Sequence, residues 1–422
     1  MMIFNKTSIL ILTHDLRLNQ TSVNRYLSFV KTLNDNNFRC SAIGLAYPFK
    51  PHHLSNLKHR TQSLIDNEAF LEVTQLNLIQ KIILFSDKNN FPFFIKKYFL
   101  ALHILFFNVD QWLVKKGNFK KLNINPTTII SGGSGGIIQS AAFLAKKYQA
   151  KLVLDYRDPW NFGYHLLETN HIIYKFKRWF TLNNELKLLK KADHIITVSE
   201  SLKNFFPENL HHKITVIENG SNYEQEDILP QIVKTPLVFN MVYLGTIYDE
   251  QLKDESFFKC LSDFIAKNNL KNQDLKLFFL GSSLNKILPT IISKYHLELF
   301  TEIRGRISQE EVLPYLLNAS MFLHLKYDQR SKIITSKNSE YLMFRKPILL
   351  PVSDHGDLSE SIEKYQAGYI CNTVEEIESA LNIEYKKYQN KESCMLSSKN
   401  LSELSRSEIS KKLITVIENL NN

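Results

Sequence analysis

Three short segments of the chain gather residue types that could do chemistry. The first is DYRDPW, where Asp155, Arg157 and Asp158 follow an apolar run and Trp160 closes it. Carboxylates beside a guanidinium can hold a polar ligand such as a sugar through charge-assisted hydrogen bonds. They can equally neutralise one another where Pro159 ends the strand. The second is SGGSGG, residues 131–136, between a strand-like and a helix-like stretch. Glycines there let backbone amides approach a ligand, and a helix N-terminus favours an anion. The spacing is neither GxGxxG nor a P-loop, and a turn for close strand–helix packing uses the same residues. The third is SKNSEYLMFRKPILL, residues 336–350. Ser336 reads as a helix cap, Glu340 lies in the first turns, and Lys346-Pro347 ends the helix before a strand. A glutamate so placed can accept from both hydroxyls of a ribose, and Lys337 can meet a diphosphate as a point charge. An ordinary helix-surface ion pair is the alternative.

These segments sit in a regular alternation of apolar runs and helical periods. SILILTH, FRCSAIGLA, TTIISGG, KLVLDYRD, HIITVSE and KITVIENG read as strands with helices between several of them. SNYEQEDILPQIVKTP, residues 221–236, is polar with two prolines and reads as a linker. The alternation restarts with LVFNMVYLG and continues through LKLFFLG, EIRGRI, MFLHLKY, KPILLPV and AGYICNT. Such a pattern predicts parallel, doubly wound sheets. The expected fold class is α/β: an N-terminal Rossmann-like domain over 1–225, a second over 226–392, and a polar helical tail over 393–422 that packs back on the first. In open α/β sheets ligands sit beyond the carboxyl ends of the strands. Those ends carry His14 and Asp15, the SGGSGG turn with Gly133 and Ser134, DYRDPW, Gly245 and Gly281.

Composition excludes several classes. A chain of 422 residues exceeds one ordinary core. The four cysteines, Cys40, Cys260, Cys371 and Cys394, form no CxxC pair, which argues against a zinc site or disulfide scaffold and suits a reducing cytoplasm. No Cys/His cluster, HxxE or DxD stands at a plausible site, so no metal is expected. The net charge of +10 favours acidic partners such as nucleotide phosphates or anionic lipid. Nucleic acid is not expected, because no stacking or RNA-binding signature accompanies the charge. TSILILTHD lacks a signal-peptide cleavage site and reads as a buried strand. No apolar stretch reaches the roughly 18–20 residues of a spanning helix.

Taken together, the segments resemble the GT-B glycosyltransferases, specifically the large retaining "group 1" family whose nearer relatives build bacterial surface polysaccharides. The likeness runs through most of the chain: DYRDPW, ADHIITVSESLKNFF, VIENGSN, MVYLGTIYDE, LFFLGSS, IRGRISQEEVLPYLLNASMFLHLKY and SKNSEYLMFRKPILL. DYRDPW and SKNSEY are the more specific in combination. The resemblance implies two Rossmann-like domains facing across a cleft and a nucleotide-sugar donor held mainly by the second. It places Glu340 on the ribose, with Ser336 and Lys337 near the phosphates; Gly245 is a further donor-binding candidate. Asp155, Arg157, Asp158, Trp160 and the SGGSGG turn would face the acceptor. It implies a nucleotide-diphosphate sugar as substrate, no cofactor, and a leaving diphosphate stabilised by basic side chains and helix amides.

The chain departs from the family in three places. Lys332 stands where the family's first glutamate of its E-x7-E pair would be, and GTIYDEQLK offers only Lys253 of the usual diphosphate pair. Arg306, Arg330 and Lys332 are the substitutes at hand. THDLRLNQTS replaces the N-terminal glycine-rich loop. His14, by its place, and Asp158 are the candidates for catalysis; a core histidine is the plainer reading of His14. The expected function is a retaining glycosyltransferase acting on a glycan or lipid-linked acceptor. The alternative is a catalytically weakened GT-B protein that binds a sugar nucleotide or a partner enzyme. Residues 91–121 and 171–180 mix aromatics and leucines with lysines. Such stretches can lie on an anionic membrane face, placing the protein in the cytoplasm or on the inner surface of the cell membrane. Core helices with snorkelling lysines would read the same way.

Overall fold

A computed structural model describes residues 7–14, 16, 21–45, 68–92, 94–95, 98–99, 109–133, 135–157, 172–327, 334–396 and 401–421. The first half builds a seven-stranded sheet from β1 (Ser8–His14), β2 (Arg39–Leu45), β3 (Phe70–Val73), β4 (Thr128–Gly132), β5 (Lys151–Tyr156), β6 (His194–Thr197) and β7 (Ile214–Val216). Its order is β3-β2-β1-β4-β5-β6-β7, and every pairing is parallel. The helices are α1 (Thr21–Asp35), α2 (Leu78–Lys88), α3 (Val109–Lys116), α4 (Gly136–Tyr148), α5 (Ile172–Lys191) and α6 (Glu200–Lys203). Ile9 to Leu12 are buried one after another along β1. A strand covered on both faces has no solvent side to make polar, so it reads as a continuous apolar run.

The second half repeats the plan. Its sheet holds β8 (Phe239–Leu244), β9 (Leu275–Leu280), β10 (Thr301–Arg304), β11 (Met321–Leu323), β12 (Ile348–Leu350) and β13 (Gly368–Ile370), ordered β10-β9-β8-β11-β12-β13 and again parallel. The helices are α7 (Gln225–Ile228), α8 (Ser256–Lys267), α9 (Ile287–Lys294), α10 (Gln309–Leu317), α11 (Ser336–Met343), α12 (Asp357–Lys364), α13 (Val374–Gln389) and α14 (Arg406–Asn421). Ser308 with Glu311 and Thr373 with Glu376 make capping boxes that start α10 and α13. Both sheets reverse their order beside the first strand, between β1 and β4 and between β8 and β11. That reversal leaves a crevice at the strand ends where ligands of doubly wound sheets bind.

The chain divides into two compact units, residues 1–218 with 410–422, and residues 219–409. The stretch expected as a linker belongs to the second unit. Tyr223, Ile228 and Ile232 are buried in its core with Val242, Leu280 and Phe344. Its first proline, Pro230, sits in a short helical turn over Leu229–Gln231. From Ser410 the chain rejoins the first unit, where the Ser410 hydroxyl lies 2.8 Å from that of Ser28 on α1. The strand expected to run through KLVLDYRD stops at Tyr156, before Arg157. The edge strand β3 and helices α2, α3, α9, α12 and α13 have no counterpart in the alternation read from sequence. β3 is only four residues long, and α12 reads as polar punctuation because half of its surface is solvent-facing.

Candidate functional site

In the first unit, β1 and β4 bring His14 against the glycine turn. Thr13 pairs with Gly132 across the two strands, and its hydroxyl donates to the Gly132 carbonyl. The chain then turns back over the histidine. Gly133 has a φ of +140°, and a Cβ there would lie 3.6 Å from His14 Cδ2. The Ser131 hydroxyl donates 2.9 Å to the Gly133 carbonyl and braces the turn. Gly135, the residue before α4, has a φ of +74°, and its Cβ would meet nothing within 4 Å. Among the described residues, no side chain caps α4. His14 itself is exposed at the strand end, not a core residue. Ser134 of the same turn lies outside the described residues.

The DYRDPW expectation is corrected at its first residue. Asp155 is fully buried, and the Arg25 guanidinium on α1, itself only 1% exposed, grips it with Nε and Nη2 at 3.0 and 3.1 Å. Arg25 also donates to the carbonyls of Ile217 and Glu218 at 2.9 and 2.6 Å and lies 4.7 Å from the Phe29 ring centroid. A carboxylate so enclosed offers no oxygen to an acceptor; it is a tie between α1, β5 and the chain after β7. Arg157 is half-buried, with its guanidinium 5.9 Å from the Tyr26 ring centroid. Asp158 and Trp160 lie outside the described residues.

In the second unit, the switch between β8 and β11 carries a buried lysine. The Lys337 amine, on the first turn of α11, donates to the Tyr243 hydroxyl at 2.6 Å and lies 4.0 Å from that ring's centroid. The residue is 8% exposed and, among the described residues, makes no salt bridge. Burial alone lowers its pKa from the lysine range to about 7. His324, at the end of β11, is buried beside it. Its Nδ1 points at the Leu325 carbonyl, while Nε2 has no hydrogen-bond partner. Burial first, and the Lys337 charge second, hold that imidazole well below its usual pKa.

Gly245 contributes by what it lacks. Its N–H donates to Leu280 and its carbonyl accepts from Ser282, so neither group is free for a ligand. A Cβ at Gly245 would stand 3.8 Å from Lys337 Cε. Its φ is +100° and that of Gly281 is +96°, and a Cβ added at Gly281 would stand 3.3 Å from the Gly245 backbone, a geometry that disfavours side chains. Ser336 is the first helical residue and not the cap. Thr335 holds the cap position without a side-chain cap bond, and its hydroxyl is unpartnered. Lys253 and Arg306 are exposed in the turns after β8 and β10. Arg330 and Lys332 lie outside the described residues.

Glu340 is one turn further along α11 and is buried. Its carboxylate accepts from the Ser221 hydroxyl at 2.7 Å, from the Asn222 side-chain amide at 2.7 Å and from the Asn222 N–H at 3.1 Å. Burial raises its pKa, against the pull of Arg406 and these donors. The residue expected on a ribose is therefore already engaged by the start of the second unit. Sequence reasoning missed Arg25, Ser221, Asn222, Tyr243 and His324 as site residues. Only MFLHLKY, with a histidine inside an apolar strand, carried a local signal.

Two further observations bear on ligands. Among the described residues, no three His, Cys, Asp or Glu converge as a metal would need, and no helix is long and apolar enough to cross a membrane. The aromatic stretches are not core helices throughout. Phe94, Tyr98, Trp179 and Phe180 are exposed, Phe94 by 71% and Trp179 by 61%, whereas Leu113 and Val114 of α3 are buried.

No protein-family profile matches the chain, and no curated protein matches it by sequence. Solved structures do. A glycosyltransferase from Rickettsia africae shares 15% identity at a TM-score of 0.60, over 99% of this chain and 100% of that one. The S. aureus TarM G117R mutant, in complex with fondaparinux, alpha-GlcNAc-glycerol and UDP, shares 11% at 0.59, over 99% and 100%. A UDP-GlcNAc 2-epimerase from Neisseria meningitidis bound to UDP-GlcNAc shares 12% at 0.56, over 98% and 100%. The chain thus has the GT-B fold, an architecture that glycosyltransferases and sugar-nucleotide epimerases share.

Proposed function

We propose that the protein is a GT-B glycosyltransferase that takes its sugar from a nucleoside-diphosphate donor. The observation that carries this reading is Lys337: a buried amine without a carboxylate partner among the described residues, at the strand-order switch of the second sheet. A buried cation in neutral surroundings is costly unless an anion completes it. The N-terminal turn of α11, uncapped by a side chain, adds aligned amides of the same sign. A diphosphate fits both. As the bond from sugar to phosphate breaks, negative charge grows on the leaving diphosphate, and a cation in a low-dielectric site stabilises it without a metal. The GT-B neighbours crystallised with UDP or UDP-GlcNAc support this class of ligand.

On this reading transfer proceeds with retention at the anomeric carbon. His14 and the 131–136 turn serve the acceptor side, and Glu340 reaches the ribose only by exchanging Ser221 or Asn222 for its hydroxyls. The exposed Phe94, Tyr98, Trp179 and Phe180, on a chain of net charge +10, suit a lipid-linked acceptor at an anionic membrane in surface-polysaccharide assembly. The test is a melting-point screen against UDP, GDP and ADP, followed by transfer assays with the matching sugar nucleotides, with and without EDTA. A ligand that binds only the folded state raises the melting point. Stabilisation with transfer unaffected by EDTA supports the proposal. Stabilisation without turnover supports a binding protein, and conversion of UDP-GlcNAc to its 2-epimer supports an epimerase. No response to any nucleotide overturns the donor reading.

A further inference from the structure

Lys337 is placed to change its charge when the donor arrives, and the surroundings decide how. Among the described residues, the groups around it are uncharged or already used. From β8 comes the Tyr243 hydroxyl, which accepts from the lysine while its single proton goes to the Thr246 carbonyl at 3.2 Å or to Gln251 Oε1 at 3.4 Å. From the end of β11 comes His324, whose charged form is disfavoured by burial and by the lysine itself. On α11, the Tyr341 hydroxyl accepts from the Leu244 N–H at 2.7 Å. Tyr248 and Tyr327 act on the Tyr243 hydroxyl from further out. The one carboxylate on the same helix, Glu340, is occupied by Ser221 and Asn222. With no counter-charge among the described residues, the ammonium form loses its hydration and gains little in return. A diphosphate supplies that counter-charge, and an opposite charge within about 4–6 Å favours the protonated amine.

We propose that the donor site is a proton-coupled anion clamp, in which Lys337 takes up a proton from solvent as the nucleotide diphosphate binds. This rests on the donor reading above and adds its regulation. The balance is simple: a neutral amine and a hydrogen ion become an ammonium paired with a phosphoryl oxygen, and no covalent bond changes. The sign follows from linkage. Below about pH 7 the free site is already charged and affinity is highest; above it each binding event must also recruit a proton, so affinity falls. Between pH 6.5 and 8.5 the dissociation constant should rise by roughly tenfold or more.

The experiment is titration calorimetry of UDP into the intact protein at pH 8.5, in Tris and in Hepes, whose ionisation enthalpies differ. A dependence of the apparent enthalpy on buffer reads the protons taken up, and close to one per UDP is expected. Lys337→Arg keeps a cation at every pH; it should bind UDP with no uptake and with affinity nearly flat from pH 6.5 to 8.5. Lys337→Met should bind at least tenfold more weakly at pH 6.5. Wild-type binding without proton uptake overturns the coupling and leaves the donor reading standing. Uptake that persists in Lys337→Arg and vanishes in His324→Gln, or that persists in both, moves the proton elsewhere and overturns the assignment to Lys337. Failure of UDP, GDP and ADP alike to bind overturns the donor reading and this inference with it.

Discussion

Breaking the Arg25–Asp155 tie should cost the first unit a large part of its stability margin. Both groups are buried, the pair is bidentate, and Arg25 also satisfies two backbone carbonyls. Arg25→Met would leave the Asp155 carboxylate uncompensated in the interior, a loss of about 3–5 kcal/mol. The carbonyls of Ile217 and Glu218 would lose donors at about 1–3 kcal/mol each where water cannot replace them. These terms overlap, so about 4–6 kcal/mol is the working expectation, against about 5–15 kcal/mol for a whole domain. Asp155→Leu should cost less than Arg25→Met, because the arginine keeps its two carbonyls. The double variant should recover part of the Arg25→Met loss, because no charge is then stranded. The assay is hydrogen exchange on β1 and β5 amides under native conditions, which reads the first unit's opening without requiring two-state unfolding of the whole chain. A coupling energy below about 0.5 kcal/mol would refute the reasoning. So would an Asp155→Ala protein of parental stability whose only defect is a raised acceptor KM, which would return Asp155 to a ligand role.

Other expectations follow from the same geometry. Glu340→Ala should lower the stability of the second unit by about 1.5–3 kcal/mol or more, since three donors lose a charged acceptor; urea denaturation that finds no change would show that the clasp contributes nothing. Because the Lys337 pKa lies below its unfolded value, the unfolded chain holds more protons between about pH 7 and 10. The second unit should therefore grow more stable as pH rises through that window, with the full penalty present below pH 7, and Lys337→Met should remove this slope in exchange measured at several pH values. Wild-type protein should co-sediment with anionic liposomes at low salt and shift its tryptophan emission to the blue as Trp179 leaves water. Phe94→Ser with Trp179→Ser should abolish co-sedimentation; indifference of the wild type would favour a soluble acceptor.

The doubly wound architecture was legible in the sequence because its signal is local. A strand buried on both faces must be apolar along its length, as Ile9–Leu12 show, and a helix must repeat its apolar positions every three to four residues. The residues at the strand ends were legible for the same reason: polar groups following a buried run have only the ligand face to occupy. Hence His14 and Gly133 are brought together at one switch point, and Lys337 and Gly245 at the other. What the polar groups do there was not legible, because it depends on partners far away in sequence. Asp155 looked like a ligand group until Arg25, 130 residues earlier, closed on it. Glu340 looked like an open carboxylate until Ser221, 119 residues earlier, filled it. Lys337 read as a diphosphate ligand or as half of a helix-surface ion pair, and only the packing of β8 and β11 shows it buried beside Tyr243 and His324. Periodicity decides which residues are covered; only the tertiary packing decides which buried charges are paired and which are not.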